Sequence, residues 1–469
     1  MRRIMQASET QAPPVHGAPR PPLAAARALM ARFLGGEDGR DRAGAALTMA
    51  IRVASAGLAF LTQVLLARWL GAFEFGVFTY VWVWVNVLGT LAVMGFSTSA
   101  VRFLNEYAKP AAAGLARGFL RFGRAVSFGA GALVMLAGLF ILWRFPGLAD
   151  DHYLRPMMIG LLALPAFALT DFHDGTGRAR QWIGLAFIPP YILRPLLILV
   201  FTGWALWLGG ERQATLAATA LVAATWITAL AQFALQQRRF ASETTGAAPR
   251  YDVGHWLWVS LPLLLMESFT LLMMNIDILL LELFVTPEGI ARYFAAARTM
   301  SFVAFIHFAV SAVAMRRFAL AFADHDATRA RRQLDRFRGW MLWPSLALTG
   351  LLLVAGPFIL SLFGPGFATA WPVMAALAAG YLARALAGPV EALLVVSGRQ
   401  KATAAVTGLT AALNIALNLM LIPRYGLLGA GLATGVSFVF QALALSFLAR
   451  RTLQRGFGET ARNSRAKRP

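Results

Sequence analysis

Residues 119–143 read FLRFGRAVSFGAGALVMLAGLFILW, and no charged side chain follows Arg124 in this stretch. A helix needs about 20 predominantly apolar residues to cross the roughly 30 Å hydrocarbon core of a membrane. The stretch meets that length with apolar and small residues almost throughout. We therefore predict a membrane-spanning helix at this position.

Eleven further apolar stretches of similar length complete a set of twelve predicted spans. The set is 46–69, 74–96, 119–143, 155–173, 184–207, 214–236, 255–283, 290–315, 338–362, 370–396, 401–422 and 426–450. Most of the 43 lysines and arginines lie in alternate connections between these spans. Because basic connections are retained in the cytoplasm, both termini are predicted to be cytoplasmic.

The overall composition agrees with a membrane protein. Hydrophobic residues make up 58% of the chain, above the roughly 45–50% apolar content of soluble domains. The net charge of +21 lies in short loops beside spans, where it sets topology and meets anionic lipid headgroups, so nucleic acid is not an expected partner. The absence of cysteine excludes disulfides and thiolate metal sites, and we expect neither a metal site nor a cofactor.

Composition also divides the chain into segments. Residues 1–45 are proline- and arginine-rich and are predicted to form a poorly ordered cytoplasmic leader, whereas 451–469 form a basic cytoplasmic tail. A polar connection at 237–254 separates an N-terminal lobe, 46–236, from a C-terminal lobe, 255–450. The amphipathic segment 315–338 is predicted to be an interfacial helix between two spans.

The two predicted lobes resemble each other. GAFEFGVFTY at 71–80 places Glu74 before the second span, and TPEGIARYF at 286–294 places Glu288 before the eighth. GTGRAR at 175–180 and SGRQK at 397–401 form a second pair of matching segments. Parallel repeats of this kind form two bundles around a central cavity in many alternating-access transporters. The sequence therefore predicts an all-α polytopic protein with 12 transmembrane helices in two six-helix lobes.

Four segments carry a family resemblance. Residues 52–107 resemble the first two spans of the polysaccharide-type, Wzx-like flippases, and MNIDILLLELFVTPEGIARYFAAAR (274–298), LFGPGFATAWPVM (362–374) and NIALNLMLIPRYGLLGAGLAT (414–434) follow in the same order. The resemblance extends over about 46–450 and implies the multidrug/oligosaccharidyl-lipid/polysaccharide exporter (MOP) superfamily. It further implies movement of an undecaprenyl-diphosphate-linked oligosaccharide from the cytoplasmic to the periplasmic leaflet of a bacterial inner membrane, for surface polysaccharide biosynthesis. A polysaccharide polymerase and glycosyltransferases would then be partners.

Four arginines fall inside predicted spans, namely Arg52, Arg194, Arg298 and Arg384. An arginine near the membrane midplane costs at least about 2.5–3.5 kcal/mol, so four of them indicate a hydrated cavity or paired partners. The guanidinium fork binds phosphate oxygens in a bidentate manner. We therefore predict that these arginines bind the diphosphate of the substrate, with interhelical ion pairs as the alternative.

Carboxylates within spans are candidates for ion coupling. Asp277, Glu267 and Glu391 could bind a coupling ion, pair with an arginine or serve as satisfied structural groups. Coupling to an H⁺ or Na⁺ gradient, or to the membrane potential, is therefore possible on sequence grounds. Asp171, His173 and Asp174 resemble a metal cluster, but their predicted position at the membrane interface favours solvated capping residues.

Three classes of function remain open from the sequence, namely a lipid-linked oligosaccharide flippase, an exporter and a membrane enzyme. An exporter of drugs or organic cations from the same superfamily would share the twelve-span layout, although intramembrane arginines favour anionic cargo. A peptidoglycan-precursor flippase has similar substrate chemistry but would carry two additional spans. A membrane glycan polymerase or ligase would need a large outer loop with catalytic groups, and the longest predicted outer connection, 144–154, is short.

Overall fold

The computed structural model describes residues 37–243 and 247–465, with side chains described for 51–241 and 247–454. Regular structure in these ranges is helical, as expected where lipid cannot satisfy backbone polar groups. The α-helices are α1 (Glu37–Leu70), α2 (Ala72–Ala92), α3 (Phe96–Glu106), α4 (Ala113–Arg144), α5 (Asp151–Leu161), α6 (Leu164–Ala179), α7 (Ile183–Ile188), α8 (Arg194–Trp207), α9 (Ala214–Glu243), α10 (Val253–Leu281), α11 (Pro287–Met300), α12 (Val303–Ala323), α13 (Ala327–Val354), α14 (Gly356–Ser361), α15 (Trp371–Ala387), α16 (Val390–Val396) and α17 (Gln400–Arg465).

Within the described residues, ten helical stretches are long and apolar enough to cross a membrane. An eleventh is the pair α5 and α6, which is bent by 50°. The prediction of an all-α polytopic membrane protein is therefore confirmed. The count of twelve stays a prediction, and the last stretch, Gln400–Gln454, contains two of the predicted spans. A non-helical residue, Gly426, with φ 55° and ψ −129°, lies inside it, at the predicted start of the last span.

Several spans are broken where the backbone leaves helical geometry. Gly95 has φ 74° between α2 and α3, and Gly388 has φ 76° after α15; glycine adopts such angles without steric cost. The prolines at 189 and 190, which cannot donate backbone hydrogen bonds, lie in a π-helical turn, Pro189–Leu193, between α7 and α8. This turn is the interruption that the proline run predicts.

The prediction of an interfacial helix at 315–338 is wrong. α12 continues to Ala323 and α13 begins at Ala327, so the segment consists of the ends of two long helices. Asp326 caps α13, because its side chain accepts a hydrogen bond of 2.8 Å from the backbone N–H of Arg329. A capped turn after Ala323 therefore replaces the single surface helix.

The two duplicated segments, 71–80 and 286–294, contact each other. A Cβ atom at Gly76 would lie 1.8 Å from the carbonyl oxygen of Pro287, so only glycine permits this approach of α2 to α11. The rings of Phe75 and Phe294 meet edge to face, with an interplanar angle of 67° and centroids 6.1 Å apart. The predicted halves are thus tightly packed at the end of the bundle where α2 and α11 begin.

Helix α10 contacts residues of both predicted halves. Near its start, Trp256 is fully buried beside Phe119, with ring centroids 5.4 Å apart, and donates a hydrogen bond of 3.1 Å to the hydroxyl of Tyr107. Farther along, Met273 packs in a cluster with Phe438 of α17. Helix α10 therefore packs against the first predicted half near its start and against the second predicted half farther along.

Candidate functional site

A cavity of about 360 Å³ lies between residues of the two predicted halves. Its walls come from α1, α2, the Pro189–Leu193 turn, α8, α11 and α12. Three of the predicted arginines, Arg52, Arg194 and Arg298, are among its lining residues. The other polar lining residues are Ser55, Thr62, Gln63, Thr79, Asn86, Tyr191 and Ser301, and the aromatic ones are Phe60, Phe75, Phe78, Trp82, Phe294, Phe302 and Phe305.

Arg52 lies on α1 at one side of the cavity. Its guanidinium carbon is 4.4 Å from the ring centroid of Phe308 and 5.1 Å from that of Phe187. Ser55 and Gln63 of the same helix also line the cavity, so α1 turns a polar face toward it. The aromatic faces stabilise the cation without neutralising it.

Arg194 is the most deeply buried of the three, with 8% of its surface exposed. It begins α8 directly after the π-helical turn, and its guanidinium carbon lies 4.8 Å from the ring of Phe167 and 5.3 Å from that of Trp82. The proline-rich turn therefore positions a cation between two aromatic side chains.

Arg298 belongs to α11 and comes from the second predicted half. Its guanidinium carbon is 5.7 Å from the ring of Phe294. The side chain is exposed although the residue lies in a predicted span, and it lines the cavity. It can therefore reach a ligand there.

Among the described residues, the charged side chains that line the cavity are all positive. The lining residues found in the described part of the chain include three arginines and neither aspartate nor glutamate. The ion pairs in those same ranges include Arg178 with Asp174, Arg329 with Asp324 and Arg338 with Asp335, and none of these involves a cavity arginine. The predicted alternative of interhelical ion pairs therefore does not hold for Arg52, Arg194 or Arg298. An anion in the cavity would meet three guanidinium groups and no carboxylate from the described lining residues.

Arg384 is placed differently. It is half-buried near the end of α15 and is not among the residues that line this cavity. Its guanidinium carbon lies 4.9 Å from the ring of Phe438. Its role in substrate binding stays a prediction.

Asp277 is 5% exposed and belongs to a buried polar network. Its carboxylate accepts hydrogen bonds from the hydroxyl of Tyr293, from the hydroxyl of Thr434 at 3.4 Å and from the backbone N–H of Ile278 at 3.1 Å. The amide of Asn414 donates to Thr434 at 3.2 Å. Uncharged donors from α10, α11 and α17 therefore surround this carboxylate, and its role in coupling stays a prediction.

The other two predicted coupling residues lie apart from Asp277. Glu267 is half-buried on α10 and accepts a hydrogen bond from the hydroxyl of Thr98 on α3. Glu391 is half-buried in the first turn of α16. The structure therefore does not gather the three predicted coupling carboxylates into one site.

The sequence-based interpretation of His173 and Asp174 is wrong. They were expected to be solvated caps but are buried within α6, where Asp174 forms an ion pair of 2.9 Å with Arg178. Trp82 on α2 lines the cavity. Hydropathy alone could not tell which face of α2 meets the other half. The searched residues contain no group of three metal-ligating side chains.

Sequence analysis did not identify Tyr293 and Asn86 as site residues. Tyr293 is fully buried and donates to Asp277, whereas Asn86 is a polar residue in an otherwise apolar span and lines the cavity. The signal for Asn86 was its intramembrane polarity. For Tyr293 the only signal was its position within a duplicated segment.

Comparisons with known families agree with this architecture. The family model described as "Polysaccharide biosynthesis protein" matches residues 42–318. The model described as "Lipid II flippase MurJ" matches residues 193–467. No curated protein matches the chain.

Solved structures share the fold at low identity. An inward-facing multidrug resistance MATE family transporter of the MOP superfamily is 13% identical with a TM-score of 0.70, covering 88% of this chain and 99% of its own. The lipid II flippase MurJ in an inward closed conformation is 14% identical with a TM-score of 0.67, covering 86% and 87%. A MOP superfamily transporter from Pyrococcus furiosus, described as having reverse polarity of its binding pocket, is 15% identical with a TM-score of 0.63, covering 90% and 97%.

The similar solved structures show the fold, and the family models show the family to which the chain belongs. Each of the two models matches more than half of the chain. The protein therefore belongs to the polysaccharide biosynthesis and MurJ flippase families of the MOP superfamily, and it is a multi-pass membrane transporter rather than an enzyme.

Proposed function

We propose that this protein translocates an undecaprenyl-diphosphate-linked oligosaccharide from the cytoplasmic to the periplasmic leaflet by alternating access, for surface polysaccharide biosynthesis. The observation that carries the proposal is the cavity lined by Arg52, Arg194 and Arg298, whose described lining residues include no carboxylate. The family models for polysaccharide biosynthesis and lipid flipping support the same class of cargo.

Charge is the first argument. Burying arginine in a membrane costs at least about 2.5–3.5 kcal/mol, and cation–π contacts of the kind seen here return about 0.5–2 kcal/mol. A bound diphosphate would compensate the remaining cost, because charge-assisted hydrogen bonds from guanidinium to phosphate are strong and bidentate. The cavity would thus be most stable with an anionic ligand in place.

Size and surface chemistry are the second argument. The cavity volume of about 360 Å³ lies in the usual range of roughly 300–1,000 Å³ for ligand sites. Aromatic rings line much of it, and such rings stack on the apolar faces of sugars. We infer that the diphosphate and the adjoining sugar occupy the cavity while the polyprenyl chain remains in lipid.

Membrane topology follows from the basic connections. We propose twelve spans in two six-helix lobes, 46–236 and 255–450, with both termini cytoplasmic. The end where α2 meets α11 is then periplasmic, and its close packing at Gly76 and Pro287 would have to separate when the cavity opens outward. The polymerase and glycosyltransferases of the pathway would act on opposite sides of the membrane.

Of the three candidate carboxylates, Asp277, Glu267 and Glu391, we propose that Asp277 couples transport to an ion gradient or the membrane potential. Asp277 is buried and surrounded by uncharged hydrogen-bond donors, so protonation or binding of Na⁺ would change the charge of the network directly. Moving one charge through 100 mV is worth about 2.3 kcal/mol, which is enough to shift a two-state equilibrium.

A second candidate cargo is lipid II, and the MurJ model over 193–467 favours it. The prediction of twelve spans opposes it, since a peptidoglycan-precursor flippase would carry two more. Export of organic cations shares the fold but would bring a cation to a cavity lined by three arginines and no described carboxylate. A purified protein incubated with undecaprenyl diphosphate, lipid II or ethidium separates these proposals by native mass spectrometry. Binding of ethidium, with no binding of either lipid, would contradict the proposal that the cargo is anionic.

A further inference from the structure

A groove separate from the arginine cavity runs between α3 and α10. Thr98, Arg102 and Asn105 line it from α3, Trp258 and Pro262 line it from α10, and Arg178 at the end of α6 completes it. It shares no lining residue with the cavity. The proposed topology places this groove at the cytoplasmic end of the junction between the two halves.

The walls of the groove are held together by buried contacts. The hydroxyls of Ser99 and Ser260 are hydrogen-bonded at 2.7 Å, and both side chains are fully buried. A Cβ atom at Gly95 would lie 2.2 Å from the carbonyl oxygen of Ser260. Helices α3 and α10 therefore meet closely behind the groove, so its shape is fixed before any ligand binds.

Hydrogen-bonding groups of both kinds face the groove. Arg102 and Asn105 are exposed and supply N–H donors, and Asn105 also offers a carbonyl. Arg178 is positioned by its ion pair with Asp174 and by a hydrogen bond of 3.1 Å to the hydroxyl of Ser97. Pro262 has no N–H for the carbonyl four residues earlier in α10, which leaves the Trp258 carbonyl as an acceptor.

An aromatic surface lies beside these groups. The side chain of Trp258 is 80% exposed. Donors, acceptors and an exposed ring together match a sugar, whose hydroxyls both donate and accept and whose C–H face is apolar. An acyl chain would leave the polar groups of the groove unpaired.

Carboxylates offset the positive charges around the groove. Arg178 is paired with Asp174 at 2.9 Å. Arg102 adds one positive charge, while Glu267, hydrogen-bonded to Thr98, adds one negative charge directly behind the groove wall. The groove therefore lacks the excess positive charge of the arginine cavity and selects hydroxyls over phosphates.

We propose that this groove binds an uncharged, hydroxyl-rich sugar unit of the glycan on the cytoplasmic side before translocation. The proposal rests on the proposed function for its physiological ligand. The diphosphate and the glycan would then be recognised at two places, the first by charge and the second by hydrogen bonding and stacking.

Saturation-transfer difference NMR on the full chain in lipid nanodiscs tests this groove, because nanodiscs avoid detergents with sugar headgroups. The probes are the methyl glycosides of glucose, galactose, mannose and N-acetylglucosamine, with methyl glucuronide as the anionic comparison. At least one neutral glycoside is expected to bind, and Trp258→Ala or Arg102→Ala should weaken it about tenfold. Matched controls are Trp343→Ala, at a tryptophan 68% exposed on α13, and Arg121→Ala, at an exposed arginine on α4.

Each outcome decides the proposal. Binding that is lost in both groove variants and retained in both controls supports it. No binding of any neutral glycoside, equal binding by the groove variants, or preferential binding of the glucuronide would overturn it. This test is independent of the proposed function, since the free glycosides carry no lipid or diphosphate and bind independently of the arginine cavity. A failure of the groove proposal can therefore be told apart from a failure of the proposed function.

Discussion

Replacing Arg194 by alanine is expected to weaken the binding of undecaprenyl diphosphate without destabilising the protein. Arg194 is 8% exposed, lines the cavity and lies 4.8 Å from the ring of Phe167. A hydrogen bond that involves a charged group contributes about 1.5–3 kcal/mol. Since about 1.4 kcal/mol corresponds to a tenfold change in affinity, the loss should be roughly tenfold to a hundredfold.

The stability of the same variant separates binding from structural roles. Removing an unpaired arginine from a membrane interior relieves about 2.5–3.5 kcal/mol and forfeits about 0.5–2 kcal/mol of cation–π attraction. Arg194→Ala should therefore be at least as stable as the wild type. If the arginine were held in a buried ion pair, its removal would instead cost about 3–5 kcal/mol.

Native mass spectrometry measures the affinity for undecaprenyl diphosphate, and thermal unfolding in the same detergent measures the stability. Arg194→Lys should bind with intermediate affinity, because lysine keeps the charge but lacks the planar fork. Arg124→Ala is the matched control, since Arg124 also lies over a ring, 5.0 Å from Phe233, but is not a lining residue of the cavity. Unchanged affinity together with a large loss of stability in Arg194→Ala would refute the assignment of Arg194 to the anion site.

Substitutions at four further positions test other parts of the account. Arg384→Ala should abolish translocation and Arg384→Lys should retain part of it. If the alanine variant restored as much surface glycan as the wild type in a complementation assay, Arg384 would be excluded from the transport mechanism. Gly76→Leu should prevent closure of the periplasmic end, because its Cβ would meet a backbone carbonyl at 1.8 Å, and added cysteines there should become more reactive to thiol reagents. Asp277→Asn should slow flipping and reduce its dependence on ion gradients in proteoliposomes, whereas unchanged rates with collapsed gradients would remove this residue from coupling. Trp256→Ala should destabilise by about 3–5 kcal/mol in thermal unfolding, since its ring is fully buried among aromatic residues, and a loss below 1 kcal/mol would contradict that packing.

Hydropathy and charge were sufficient for the class of fold and for the arginines at the site. A charge in an apolar span is costly, so Arg52, Arg194 and Arg298 were identifiable without knowing which helices meet. Their lack of carboxylate partners was not predictable, because pairing depends on distances between residues far apart in sequence.

Helix breaks and shared packing were the parts that sequence could not provide. The turn at Gly95 lies within a run of helix-compatible apolar residues, and only its positive φ angle reveals it. Trp256 was assigned with the C-terminal lobe, yet it is buried against Phe119 of the N-terminal half. Periodicity specifies which residues share a helix face and does not specify the helix that covers it.

The central claim is that the cavity arginines carry a polyprenyl-diphosphate-linked glycan across the membrane. Proteoliposomes containing the protein and a fluorescent undecaprenyl-diphosphate-linked oligosaccharide measure this directly, with a membrane-impermeant lectin reporting glycan that reaches the far leaflet. The account predicts protein-dependent translocation that falls to the protein-free rate when Arg52, Arg194 and Arg298 are all replaced by glutamine. Translocation at the wild-type rate by that triple variant, or none by the wild type while ethidium is exported, would contradict it.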